Sequence, residues 1–199
     1  MSLLFETISI REGRPENLRW HRQRVDASAK AAFGRVPSFR LEEEIVAPPT
    51  AASGHYRCRV DYDTEIREIT FRPYVFNAIS SLKPVEDNTI SYNLKYADRT
   101  ALLNIYAQRG SCDDVLIVKD GLITDSSYAN VALLKNGQWF TPSAPLLPGT
   151  CRARLIHENM LIPVPVRVDD LHHYESILLI NALRGFRPET AFPVSGVRF

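Results

Sequence analysis

The sequence contains no apolar run approaching the roughly 20 residues that a membrane-spanning helix requires. Its first residues carry no basic segment and no cleavage site, so we expect neither a signal peptide nor a membrane anchor. The formal net charge of +1 argues against a bulk nucleic-acid or anionic-membrane partner. These absences predict a soluble protein of 199 residues, a length that suits one domain or two small ones.

Cysteine is scarce and unclustered, with only Cys58, Cys112 and Cys151 and no CxxC pair. This pattern predicts free thiols in a reducing cytoplasm. The GxGxxG, Walker A, HExxH and GxSxG motifs are absent, and the five histidines lack zinc-ligand spacing. We therefore expect no metal site, and hydride, zinc and serine-hydrolase chemistry are disfavoured.

Lysine is also scarce, with five residues among 24 basic ones, which shortens the list of candidate amine nucleophiles. Lys95 stands among aromatic and aliphatic neighbours, where a predicted strand gives way to a predicted helix. Partial desolvation there would lower the pKa of the amine and favour a Schiff base. The alternative is a lysine at a strand end that keeps only its ammonium group in water. The local sequence leaves both open.

A proline-rich loop reads LLPGTCR over residues 146–152 and is predicted to lead into a helix. Backbone N–H groups at a helix N-terminus, approached closely because of Gly149, suit a phosphate. The alternative is simple helix capping with Thr150 as the N-cap residue.

Two charged residues, Arg24 and Asp125, belong to segments with an otherwise apolar pattern. Arg24 borders the helical stripe of Leu18 and Val25, so it either extends into solvent or reaches inward to an anion. Asp125 lies in an otherwise apolar and small-residue strand, where burial of a carboxylate requires a partner. That partner could be a structural arginine or the protonated ring nitrogen of a cofactor.

The periodicity of the chain predicts an α+β fold with hairpin-rich sheets and few helices. Residues 5–10 alternate as a half-buried strand does, and Asn77 to Asn93 holds two short extended pieces. The predicted helices span residues 16–33, 38–46, 96–109 and 151–159. A boundary near Phe76 divides the chain into domains 1–76 and 77–199.

Taken together, the motifs resemble the class IV aminotransferase family, the fold-type IV pyridoxal-phosphate enzymes. The resemblance runs in order from about residue 4 to residue 194. It is carried by five matching segments: Phe5–Ile8 with Leu18, His21 and Arg24; Leu94 and Lys95 with Arg99; Gly121 through Asn130; Thr141 and Pro142 with Leu146–Gly149 and Arg152; and Ile180–Leu183.

The resemblance implies a D-amino-acid aminotransferase-like fold with a smaller N-terminal α/β domain. A C-terminal mixed-sheet, barrel-like domain would bind pyridoxal 5'-phosphate and carry the lysine, and a homodimer would complete the site. Lys95 would hold the cofactor as a Schiff base and shuttle the substrate proton. The other cofactor-binding positions that the resemblance implies are Arg24, Asp125, Gly149, Thr150, Cys151 and Asn181.

In these implied roles, Arg24 and the backbone of Thr150 and Cys151 would bind the phosphate. Asp125 would face the pyridine nitrogen, where the family usually has glutamate, one methylene longer. Tyr62 stands where relatives often place a carboxylate-binding arginine. Arg57 or Arg59 could take that part, or both could be ordinary solvent-facing strand residues.

The resemblance implies three possible functions. A 4-amino-4-deoxychorismate lyase would form 4-aminobenzoate and pyruvate, and the Asn-Ala-Leu segment at residues 181–183 favours it slightly. A branched-chain or D-amino-acid transaminase would release a keto acid instead. The third possibility is a non-catalytic protein that only binds pyridoxal phosphate.

Overall fold

The computed structural model describes residues 3–199 of the chain. They form two units, of which the first comprises the residues up to Phe76 together with Leu94–Asp98. Its elements are β1 (Leu4–Arg11), β2 (Arg14–Pro15), α1 (Leu18–Phe33), α2 (Leu41–Glu44), β3 (His55–Tyr62) and β4 (Ile66–Pro73). The strands form an antiparallel sheet in the order β2-β1-β3-β4.

Strand β1 is central in this sheet and buried on both faces, so the prediction of a half-buried strand is wrong. One face carries Leu4, Ile8 and Ile10, which pack with residues of α1 and β3 in the apolar core of the unit. Glu6 lies on that same face because side chains alternate along a strand. A carboxylate is thereby placed among apolar residues, and it needs polar partners there.

Helix α1 confirms the predicted helix and its end. Gly34 occupies the C-cap in the left-handed conformation, with φ of 77°, and its N–H donates to the carbonyl of Lys30. Glycine adopts this conformation without the steric cost of a Cβ atom. The helix presents His21, Val25 and Ala29 to the core.

The second unit comprises Asn77–Asn93 and Arg99–Phe199. Its elements are β5 (Leu82–Glu86), α3 (Thr100–Tyr106), β6 (Asp114–Lys119), β7 (Leu122–Ser126), β8 (Asn130–Lys135), β9 (Gln138–Pro142), α4 (Thr150–His157), β10 (Ile162–Val164), β11 (Ser176–Ile180) and β12 (Phe192–Pro193). These strands form one mixed eight-stranded sheet, in which β5 runs parallel to β6 and β10 parallel to β9. Together with the first unit, this sheet confirms the predicted α+β fold class.

The segment around Lys95 packs with the first unit, whereas the sequence placed this lysine with residues 77–199. Tyr96 forms a bridge with Leu4, and the N–H of Phe5 donates to the carbonyl of Lys95 over 2.9 Å. This pairing uses the backbone of residues 95–97, so α3 begins at Thr100 rather than at residue 96. The predicted helix over 38–46 is likewise shorter, and only β5 forms in the stretch where two extended pieces were expected.

Within residues 3–199, no helix combines the length and the apolar character that crossing a bilayer would need.

Candidate active site

A buried polar network in the first unit joins β1 to α1. The Glu6 carboxylate is fully buried and accepts two hydrogen bonds from Arg24, from Nε over 2.8 Å and from Nη2 over 2.6 Å. The buried His21 ring also contacts the carboxylate, with Nδ1 at 2.6 Å from Glu6 Oε2, the oxygen that accepts from Arg24 Nη2. Because an ionised carboxylate only accepts, His21 Nδ1 carries the proton in this contact.

The electrostatics of this network favour the charged form of Glu6. Burial by itself raises the pKa of the carboxyl, but the charge of Arg24 and the hydrogen bond from His21 outweigh it. The net result lowers the pKa of Glu6 from 4.5 to about 2. The carboxylate is therefore ionised at any physiological pH, and it fixes two nitrogens of the Arg24 guanidinium.

Lys95 lies beside an aromatic ring of the same unit. Its Nζ is 4.5 Å from the centroid of the buried Phe5 ring. The guanidinium carbon of Arg59 lies 4.1 Å from the same centroid, and Arg59 forms a bidentate pair with Asp61. Two cations thus share one electron-rich ring, which is favourable for each of them, while the Asp61 carboxylate offsets the charge of Arg59. Of the two candidate strand arginines, Arg59 is the one on this ring.

In the second unit, Asp125 lies near the end of β7 and accepts hydrogen bonds from two other residues of the chain. Its Oδ1 accepts from Asn130 Nδ2 over 2.7 Å, and its Oδ2 accepts from the N–H of Leu147 over 2.9 Å. Burial raises the pKa of Asp125 to about 6, although these hydrogen bonds and the charge of Arg152 lower it. The expected contact of Asp125 with a ring nitrogen stays a prediction.

Asn130 connects this carboxylate to the proline-rich loop. Its Nδ2 also donates to the carbonyl of Leu147 over 2.9 Å, so the side chain spans β8 and the loop. A Cβ atom on Gly149 would overlap Asn130 Oδ1. Glycine is therefore required at position 149 by close packing, because its backbone angles, φ −72° and ψ 144°, suit any residue.

The loop ends at the N-terminus of α4, as predicted. The N-cap residue is Gly149, so Thr150 as the N-cap residue is wrong, and no side chain of residues 3–199 caps this helix. Burial raises the pKa of the Cys151 thiol to about 11, so the side chain is a neutral thiol at physiological pH. Arg152, in the first turn of α4, is buried and donates to the carbonyl of Pro142 over 2.8 Å.

Asn181 closes a turn after β11. Its Oδ1 accepts from the N–H groups of Leu183, over 3.0 Å, and Arg184, over 2.8 Å. Its Nδ2 lies 3.4 Å from the carbonyl of Tyr128, which is in the turn between β7 and β8. The side chain thus ties the end of β11 to that turn.

We expect Gly149→Ala to disturb this loop, because the new methyl group would displace Asn130 from Asp125. The loss should be on the order of 1–3 kcal/mol of unfolding stability, as for other overpacked sites. Urea denaturation measures it, with Asn130→Ser as the partner in a double-mutant cycle. The double variant should be no less stable than Asn130→Ser alone; additive losses would contradict the proposed overlap.

Each unit thus gathers part of the predicted set. The first carries Lys95 and Arg24, and the second joins Asp125 to Gly149 through Asn130. The sequence did not assign Glu6 or Asn130 to the site. The available signals were a glutamate on a strand otherwise lined by leucine and isoleucine, and an asparagine closing the motif that begins at Gly121.

Comparison with known proteins gives a family match over almost the whole chain. The model of the family "Amino-transferase class IV" matches residues 3–192. A protein of unassigned function from Haemophilus influenzae is 34% identical over 184 residues, which are 92% of this chain and 98% of that protein.

Solved structures agree with this match. A proposed 4-amino-4-deoxychorismate lyase from Haemophilus somnus 129PT is 37% identical, with a TM-score of 0.87 over 94% of this chain and 98% of that one. The pyridoxal-phosphate-bound form of a Mycobacterium tuberculosis protein, described as a hypothetical aminotransferase, shares the fold at 18% identity. Its TM-score is 0.77, over 92% of this chain and 78% of that one. The chain belongs to the class IV aminotransferase family and has the fold of the fold-type IV pyridoxal-phosphate enzymes.

Proposed function

We propose that the protein is a pyridoxal-phosphate-dependent lyase that converts 4-amino-4-deoxychorismate into 4-aminobenzoate and pyruvate. The observation that carries this proposal is the similarity to the Haemophilus somnus protein, which extends over nearly all of both chains at 37% identity. The Asn181-Ala182-Leu183 segment, typical of the lyase branch in the resemblance described above, supports the same choice.

The donors carried by the chain fit pyridoxal phosphate chemically. A primary amine, Lys95, suits its aldehyde, and a guanidinium, Arg24, suits its phosphate. The N-terminus of α4 adds backbone N–H groups and the positive end of a helix dipole. When bound, the cofactor would supply an electron sink for the carbon that carries the substrate amine.

The proposed role of Lys95 is to hold the cofactor and to move the substrate proton. Its amine would take the proton from the amine-bearing ring carbon. The electron pair of that C–H bond would then make the ring aromatic as the C–O bond to the enolpyruvyl group breaks. The enolpyruvate released takes up a proton and becomes pyruvate, which balances the reaction. The cation–π contact with Phe5 would orient the side chain between these steps.

Arg24 and the start of α4 are the proposed phosphate ligands. Glu6 holds Nε and Nη2 of Arg24, which restricts the guanidinium to one orientation. In α4, the first intrahelical hydrogen bond runs from the N–H of Ala153 to the carbonyl of Gly149, so the amides of Thr150 and Cys151 precede the helical ladder.

A homodimer and a cytoplasmic location complete the proposal, and sedimentation of the purified protein tests the former.

The product assay tests the proposed function. Purified protein loaded with pyridoxal phosphate is incubated with 4-amino-4-deoxychorismate, and 4-aminobenzoate and pyruvate are followed together. We expect the two products in equal amounts. Asn88→Ala is a suitable control variant, because Asn88 accepts a hydrogen bond from the N–H of Asp120 in a turn and has no role in the proposed site.

The other outcomes of the assay are equally informative. Release of a keto acid from branched-chain or D-amino acids, without 4-aminobenzoate, would replace the lyase by a transaminase. Cofactor uptake with no product in either assay would replace it by a binding protein. A protein that takes up no cofactor would contradict the proposal as a whole.

A further inference from the structure

The Asp125 carboxylate is buried, yet its two nearest partners are uncharged. It is 5% exposed and accepts from the amide of Asn130 and from the backbone N–H of Leu147. The guanidinium of Arg152, the nearby cation, donates instead to Thr141 and to the carbonyl of Pro142. A buried carboxylate strengthens the hydrogen bonds that it accepts. Asp125 therefore holds Leu147 more firmly than a neutral side chain would.

Asn130 holds the other backbone group of Leu147, its carbonyl. The register pairs it directly with Asp125 across β7 and β8, and its amide holds Asp125 Oδ1 and the Leu147 carbonyl together. Both backbone groups of Leu147 are thus bound, the N–H by Asp125 and the carbonyl by Asn130. With Gly149 packed against Asn130 Oδ1, the loop is fixed at Leu147, three residues before the first residue of α4.

From this geometry we infer that Asp125 and Asn130 are a positioning pair, which holds the loop over residues 146–149 and so sets the phosphate affinity of the α4 N-terminus. The inference rests on the proposed function, in which that N-terminus binds the phosphate of the cofactor. It assigns Asp125 to the loop, and it makes the side-chain length of aspartate a requirement. Glutamate, one methylene longer, would push Leu147 away from Asn130.

The affinity for pyridoxal phosphate, compared with that for pyridoxal, which lacks the phosphate, distinguishes a role in phosphate binding from a general structural role of the pair. Dissociation constants are measured for the wild type, Asp125→Asn, Asn130→Ala and the control Asn88→Ala. The two pair variants should lower the preference for pyridoxal phosphate over pyridoxal by about tenfold, the effect of displacing one or two hydrogen bonds. The control should keep the wild-type preference. Asp125→Glu should behave like the pair variants.

Hydrogen exchange in the cofactor-free protein gives a second readout. In the wild type, the hydrogen bond to Asp125 protects the N–H of Leu147 from exchange. Peptides that cover residues 146–149 should therefore exchange faster in both pair variants. Their exchange rate should be unchanged in Asn88→Ala. This measurement needs no bound ligand. It remains decisive if the wild type binds neither compound, a result that would defeat the proposed function separately.

Three results would overturn the inference. The first is an equal loss of affinity for both compounds, which indicates a general structural effect. The second is unchanged affinity in Asp125→Asn with a shifted absorption maximum of the bound cofactor, which would assign Asp125 to the ring nitrogen. The third is unchanged exchange at residues 146–149 in Asn130→Ala.

Discussion

Lys95→Ala is expected to abolish covalent attachment of the cofactor and to lower turnover by at least about 10³-fold, the upper part of the range for a lost acid–base group. The reason is that no other amine is placed beside Phe5 in the described first unit: Lys30, its other lysine, is on the exposed end of α1. Borohydride reduction followed by intact-mass measurement checks attachment. The wild type should gain one phosphopyridoxyl group and the variant none.

Two further variants distinguish the role of Lys95 as a nucleophile from the effect of its positive charge. Lys95→Arg keeps a cation over the Phe5 ring but cannot form a Schiff base, so it should also fail to retain the reduced cofactor. Lys83→Ala removes an exposed lysine of β5 and should behave as the wild type. A reduced adduct on any lysine of Lys95→Ala, with turnover preserved, would contradict the assignment.

Glu6→Gln is expected to lower the free energy of unfolding by about 3–5 kcal/mol at pH 7, because it leaves the Arg24 side chain, only 12% exposed, against a neutral amide. The pKa of Glu6 is depressed from 4.5 to about 2, so its contribution is fully present above pH 4.5 and is lost as the pH falls through 2. That shift corresponds to about 3 kcal/mol. Urea denaturation between pH 2 and 7 measures both effects, and the variant should lack this acid-dependent loss.

The matched control is Glu16→Gln. Glu16 also accepts hydrogen bonds from Ser9 and Arg11, but its side chain is 38% exposed, so solvent replaces much of what is lost. We expect a change within about 1 kcal/mol. Equal losses in the two variants would show that the Glu6 network contributes no more than a surface ion pair.

Glu6→Gln should also weaken binding of pyridoxal phosphate, because Arg24 loses its fixed orientation.

The features predicted correctly from the sequence are those encoded by neighbouring residues. The end of α1 follows from the conformational freedom of Gly34, and the α4 loop follows from its prolines and Gly149. The features that were missed depend on pairing between distant parts of the chain. The bridge of Tyr96 to Leu4 joins residues about 90 positions apart, and nothing local to Lys95 indicates it.

The same reason explains the two missed polar networks. The alternation along β1 places Glu6 on the face of the leucine and the isoleucines, but it does not show that His21 and Arg24 meet it from α1. Likewise, the letter Asn at position 130 does not show that its amide reaches Leu147, 17 positions away. The family resemblance implies roles for Lys95 and Arg24, whereas their contacts with Phe5 and Glu6 depend on how the chain folds.

The five residues Leu94–Asp98 belong to the first unit although the chain on both sides belongs to the second. Exchange of the first 76 residues between two relatives, by recombination or by gene fusion, would therefore leave Lys95 in place but replace β1, the strand that pairs with its segment. A chimera of that kind keeps its lysine and inherits a foreign Phe5, Glu6 and Arg59. Modular shuffling at this boundary would alter the surroundings of the amine before it altered the amine itself.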